Sequence, residues 1–197
     1  MDGGQFEIAL AGCSFGHNAA AGLDIGAGGL DLAAVWIQDG TFTDNAREGA
    51  AFDLSTSDEA VLAIFGARAE GNGFDGIGAS LSNLTAAGIA FSNVVANQNG
   101  QRGIGIAVRD AEIAEVDLEN VHANDNQAAG VSVETADAGV SLVAVRDAVA
   151  GENSGAGLDL LQTGSALAVA AASGIQANDN EGAGIRVAQT DNGIGLA

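Results

Sequence analysis

The chain contains no proline, no tyrosine and no lysine, and one cysteine and one tryptophan among its 197 residues. The lone Cys13 excludes an internal disulfide and says nothing of the redox compartment. With six arginines against 26 acids the formal charge is −20, which excludes long-range attraction to phosphate backbones or anionic lipid. Neither nucleic acid nor a membrane is therefore an expected partner. No basic segment leads into an apolar one near Met1, and no run of roughly 18 apolar residues occurs, so the chain shows neither a secretory signal nor a membrane-spanning helix. A signal for export, if the natural protein uses one, is expected outside this chain.

What is present is an apolar fraction of 47%, ample for one core, made mostly of Ala, Val, Ile and Leu, together with 30 glycines. Such a composition packs small side chains in layers. A fixed period organises it. Asparagine recurs every 27 residues at Asn18, Asn45, Asn72, Asn99, Asn126, Asn153 and Asn180, and glycine follows four residues later at Gly22, Gly49, Gly76, Gly103, Gly130, Gly157 and Gly184. Repeats of this length mark solenoids and arrays.

Between these columns apolar residues alternate. Leu23/Ile25, Ala50/Phe52, Ile77/Ala79, Ile104/Ile106, Val131/Val133, Leu158/Leu160 and Ile185/Val187 form one inward pair per turn. Columns beginning at Ile8/Leu10 and at Cys13/Phe15 repeat the pattern with the same period. Period-2 alternation is the mark of strands with one buried face, and each turn holds about three. Helical repeats would need apolar residues at i, i+3, i+4 and i+7, where this chain has Gly and β-branched residues. The expected fold is all-β: a single solenoid domain over residues 1–197, a parallel β-helix of about seven 27-residue turns without evident caps. At about 4.8 Å per turn it would make a rod of roughly 35 Å. Right-handedness is expected because parallel crossovers are right-handed in about 98% of cases.

Both invariant columns have a structural explanation. Asparagine tolerates the left-handed conformation of a tight corner, and its amide can bond the amides above and below in a ladder. Glycine four residues on permits close backbone approach at the entry to the next strand.

The phrases NQNGQRGIGIAV, NDNQAAGVSV and NDNEGAGIRV resemble the repeats of the pectate-lyase-like parallel β-helix superfamily, and the resemblance covers essentially the whole chain. That superfamily holds polysaccharide lyases, hydrolases and epimerases, phage tailspikes and surface adhesins, so the likeness implies a fold and leaves the chemistry open. Its enzymes interrupt their turns with long loops that wall a groove, and no turn here carries an insertion. The Arg-x-Lys and Asp-Pro-His-Asp motifs of its polygalacturonases and epimerases need lysine and proline, which are lacking; Gly16-His17-Asn18 echoes only part of a third motif.

No catalytic residue is assigned. The candidates are Glu115, Asp117 and Glu119, which alternate with inward Val116 and Leu118, with Arg109 or Arg146 as a basic partner. Asp110 and Asp137 share a column one turn apart, where a shared Ca²⁺ is the one cofactor suggested. His17 and His122 lie four turns apart and cannot pair. The outward positions of the middle strand, with Trp36, Val61, Phe65, Leu142 and Val169, form a small-residue apolar strip suited to contact with another chain. The function expected is that of a structural or interaction module, adhesin-like or filament-forming, at the cell surface or outside the cell. Its partner would be itself, end to end or laterally, or a polysaccharide. The alternative is a carbohydrate-active enzyme or glycan-binding tailspike-like domain.

Overall fold

The structure, a computed structural model, describes residues 4–197. All regular structure among these is β, and every strand pairing is parallel. The strands in chain order are β1 (Gln5–Ala11), β2 (Ser14–Gly16), β3 (Leu23–Gly28), β4 (Leu32–Gln38), β5 (Thr41–Thr43), β6 (Ala50–Ser55), β7 (Glu59–Phe65) and β8 (Arg68–Glu70). Then follow β9 (Ile77–Val95), β10 (Ile104–His122), β11 (Val131–Ala136), β12 (Val140–Arg146), β13 (Leu158–Thr163), β14 (Leu167–Ser173), β15 (Ile185–Thr190) and β16 (Ile194–Leu196).

Each turn has three sides. A six-residue side contains β3, β6, β11, β13 and β15; a seven-residue side contains β1, β4, β7, β12, β14 and β16; a three-residue side contains β2, β5 and β8. β9 and β10 are each long enough to run along all three sides of one turn. Pairing is in strict 27-residue register, as in Gln5↔Leu32, Ile104↔Val131 and Leu167↔Ile194. The expected solenoid is the observed one, and the registers follow the sequence period.

The interior is a stack of like residues. Val35, Leu62, Ile89, Val116 and Val143 form one buried column, and Ile37, Ile64, Phe91, Leu118 and Val145 form another. Phe15 and Phe42 stack with ring centroids 5.6 Å apart. Two further inward columns also line the core: Leu54, Leu81 and Val108 in one, Ala33, Ala60, Ala87 and Ala114 in the other. Toward the last turns the first of these becomes polar, at Thr135 and Gln162, and the second is interrupted by Ser141. Thr135, Ser141 and Gln162 are buried there and bond one another, the Gln162 amide donating to Ser141 Oγ at 2.7 Å.

The corners correct one expectation. None of the ladder asparagines is left-handed; the residue just before each one is, in the column His17, Asp44, Gly71, Gln98, Asp125, Glu152 and Asp179. Two other columns behave alike: Gly12, Asp39, Gly66, Asn93, Asn120, Asp147 and Gly174, and Gly29, Thr56, Asn83, Asp110, Asp137, Gly164 and Asp191. One positive-φ residue thus turns the chain at each corner of every turn. Turning one position earlier leaves the asparagine free to aim its amide into the corner, where the stack bonds it.

Candidate functional site

The ladder is the most regular polar feature. Each Nδ2 donates to the Oδ1 of the next turn, from Asn18 to Asn45 at 2.8 Å through to Asn153 to Asn180 at 2.9 Å. From Asn45 onward the same Nδ2 also donates to a backbone carbonyl of the preceding turn, such as Ala69 for Asn99 at 3.1 Å. Each Oδ1 after the first accepts a second bond from the backbone N–H of the asparagine before it. The glycine column makes room for this. A Cβ at Gly103 would lie 2.6 Å from the Ala96 carbonyl oxygen and 2.8 Å from Asn126 Nδ2.

At the two ends the ladder is incomplete in complementary ways. Among the described residues, Asn18 Oδ1 accepts nothing and the Asn180 backbone N–H donates to nothing. The end after the last turn also exposes core-column side chains, with Ile185 and Val187 47% and 41% accessible. At the other end Ile8, Leu10, Phe15 and Leu23 are only half-buried.

On the seven-residue side Glu115, Asp117 and Glu119 point outward as expected, with Val116 and Leu118 buried between them. Asp117 is engaged: Arg146 donates to both its carboxylate oxygens, at 2.6 and 2.7 Å. That bond first, and the carboxylate's charge second, raise the Arg146 pKa above its ordinary value. Arg146 stands beside Glu119 in the register, so it reaches diagonally across the sheet. Two shallow depressions, of about 180 and 230 Å³, adjoin Glu115 and Asp117.

Arg109 does not join them. It belongs to the six-residue side, around the corner made by Asp110, and pairs with Glu134 at 2.9 Å. Asp110 and Asp137 occupy the corner column between those sides. No group of three or more His, Cys, Asp or Glu side chains converges on one point among the described residues. His17 and His122 are both exposed, and Cys13 is half-buried.

The apolar strip is present in part. Trp36, Phe65 and Leu142 are exposed, with Val61 and Val169 half-buried. Ala34 and Ala63, at outward positions of the same strands, are buried; Ala63 is the direct partner of Trp36, and the large side chains shelter the small ones. A depression of about 250 Å³ lies against Trp36, Gln38 and Phe65.

A depression of about 330 Å³ on the six-residue side, bordered by the charged Asp24, Asp53, Asp75, Arg102, Arg109 and Glu134, was not among the expected sites. Arg102 lies over Gly105, where a Cβ would come within 2.7 Å of the guanidinium, and grips Asp75 at 2.8 Å. Opposite charges one period apart were the available signal, here and at Asp159 and Arg186. All six arginines pair with acids, leaving the other carboxylates without an arginine partner among the described residues.

A family model described as a right-handed beta helix region matches residues 3–170. No curated protein and no solved structure matches the chain.

Proposed function

The chain belongs to the right-handed β-helix family, and from that premise we propose that it works as a structural module whose copies join head to tail. The observation that carries this reading is the sameness of its turns, each of which offers the next the same ladder and core columns. The backbone N–H and Nδ2 of Asn180 face one way along the column and the open Oδ1 of Asn18, six turns away, faces the other. Continuing the ladder across a junction would repeat bonds already made six times within the chain. The same register sets Leu23 and Ile25 over Ile185 and Val187, removing apolar surface from water. We place this role at the cell surface or outside the cell, where the adhesins of the superfamily that its repeats resemble act.

Sedimentation velocity and negative-stain electron microscopy at micromolar concentration test the proposal, with and without millimolar calcium. Rods several times longer than one copy are expected. A calcium requirement would point to the stacked Asp110 and Asp137, which lie on the side of the rod in its middle turns. Discrete particles at every concentration would sink the reading.

A second reading is favoured by the two depressions that meet at Glu115 and Asp117: that this face binds or cleaves an acidic polysaccharide. Glu115→Gln with Asp117→Asn should then abolish binding in a glycan array or loss of substrate viscosity. An unchanged result would remove it.

A further inference from the structure

Exposed apolar surface gathers on the outward face of the seven-residue side. Outside the last turn, five large apolar side chains are exposed among the described residues, and four of them, Trp36, Phe65, Ile113 and Leu142, stand on this face. The fifth, Phe74, lies in the corner before β9 under the Arg47 guanidinium, 5.8 Å from its ring centroid. A contiguous apolar face of this kind marks a contact surface.

The pattern on the face selects its occupant. Apolar bulk stands in the second and third turns and again in the sixth and seventh. Between them lie a turn of small residues, Gly88, Ala90 and Ser92, and a turn of acids, Glu115, Asp117 and Glu119, in register with one another. Two copies can close such a face about a twofold axis that runs along the rod or along the strands. An axis along the rod sets the acidic turn against its own copy, carboxylates facing carboxylates, which repel. An axis along the strands, between the fourth and fifth turns, reverses the second rod. It sets the acids over Gly88, Ala90 and Ser92, whose small side chains leave room for water at the carboxylates.

The same axis matches the remaining columns. Ile113 falls on Ala86, Leu142 on Val61 and Trp36 on Ala171, each time a large side chain on a smaller one, while Arg146 falls on the Phe65 ring. Trp36 meets the depression of about 180 Å³ between Leu142 and Val169, and Leu142 meets the one of about 230 Å³ that Val61 shares with Gly88. Six turns of seven residues cover about 29 by 23 Å, or about 670 Å² per copy and about 1,300 Å² in the pair, which reaches the size of a stable interface.

We propose that this face is a homodimer interface: two copies pack sheet to sheet with their rods antiparallel, the acidic turn of each resting on the small-residue turn of the other. The pairing uses the side of the rod and is independent of end-to-end joining. It covers Glu115 and Asp117, so it and a polysaccharide on that face exclude one another.

Ser92→Cys in a Cys13→Ala background reads the geometry. With sheets about 10 Å apart, the two Ser92 Cα atoms come to about 11 Å in the antiparallel pair, against about 22 Å in the parallel one and about 34 Å end to end. A short bismaleimide should therefore give a covalent dimer at micromolar concentration in about 150 mM sodium chloride. Trp36→Glu and Leu142→Glu, both at exposed positions, should suppress the cross-link and weaken association about tenfold or more in sedimentation equilibrium, with the far-ultraviolet spectrum unchanged. Phe74→Glu, off this face, should leave both as they were. Absence of the cross-linked dimer, or its persistence in Trp36→Glu and Leu142→Glu, would overturn the pairing. Long rods without the cross-link would leave head-to-tail assembly standing alone, and cross-linked dimers that never lengthen would leave the lateral pair alone.

Discussion

Glycine serves this fold at some positions and is incidental at others, and the surroundings of each tell which. A Cβ at Gly103 would stand within 3 Å of two carbonyl oxygens and an asparagine amide, whereas a Cβ at Gly88 meets nothing within 4 Å. Gly103→Ala should therefore cost about 3 kcal/mol, since backbone and ladder must both shift. Gly88→Ala should be neutral or slightly stabilising, because alanine restricts the unfolded chain. Urea denaturation of the two variants checks the contrast. Thr56 is the converse case, a β-branched residue at φ 52°. Its Oγ1 accepts a bond from Gly29 N–H at 3.0 Å, a role an asparagine side chain can fill. Thr56→Asn should stabilise by about 1 kcal/mol, because asparagine bears the left-handed conformation with less strain. A fall in melting temperature would refute this.

At the scale of the element, the ladder is a chain of mutually dependent bonds. Asn99 is 1% exposed, and its amide serves Asn72, Asn126 and the Ala69 carbonyl. Asn99→Ala would leave the Asn72 N–H and the Ala69 carbonyl without partners inside the stack, at about 1–3 kcal/mol for each orphaned group. Asn18→Ala removes bonds at an exposed end, where water replaces them, and should cost about 1 kcal/mol or less. Equal losses for the two variants in chemical denaturation would argue against a cooperative ladder.

At the scale of the molecule, charge opposes both compactness and assembly. All six arginines are already paired, so most of the −20 charge is uncompensated surface repulsion. Raising sodium chloride from about 10 mM to about 150 mM shortens the screening length from about 30 to about 8 Å. The melting temperature should rise over that range, and end-to-end association should strengthen with it. Calorimetry and sedimentation at the two salt concentrations measure both. A melting temperature that falls with salt would mean that the ion pairs, such as Arg102 with Asp75, outweigh the repulsion.

The repeat, the three strands per turn, the ladder and most of the core were determined by the sequence alone. A parallel stack carries residue i onto residue i+27, so one period in the chain becomes one environment in space, and Asn99 or Val116 can be placed by counting. Tertiary structure decided what counting cannot reach. Arg109 and Glu115 are near in sequence but lie on different sides, because the left-handed Asp110 turns the chain between them. Arg146 spans diagonally to Asp117, and Ala34 and Ala63 are sheltered beside Trp36 and Phe65. The left-handed residue falls one position before the ladder asparagine, since the amide must point into the corner to bond its neighbours. Column membership follows from the period of the backbone; the reach of a long side chain, and the direction in which a corner turns it, depend on the three-dimensional arrangement of several columns together.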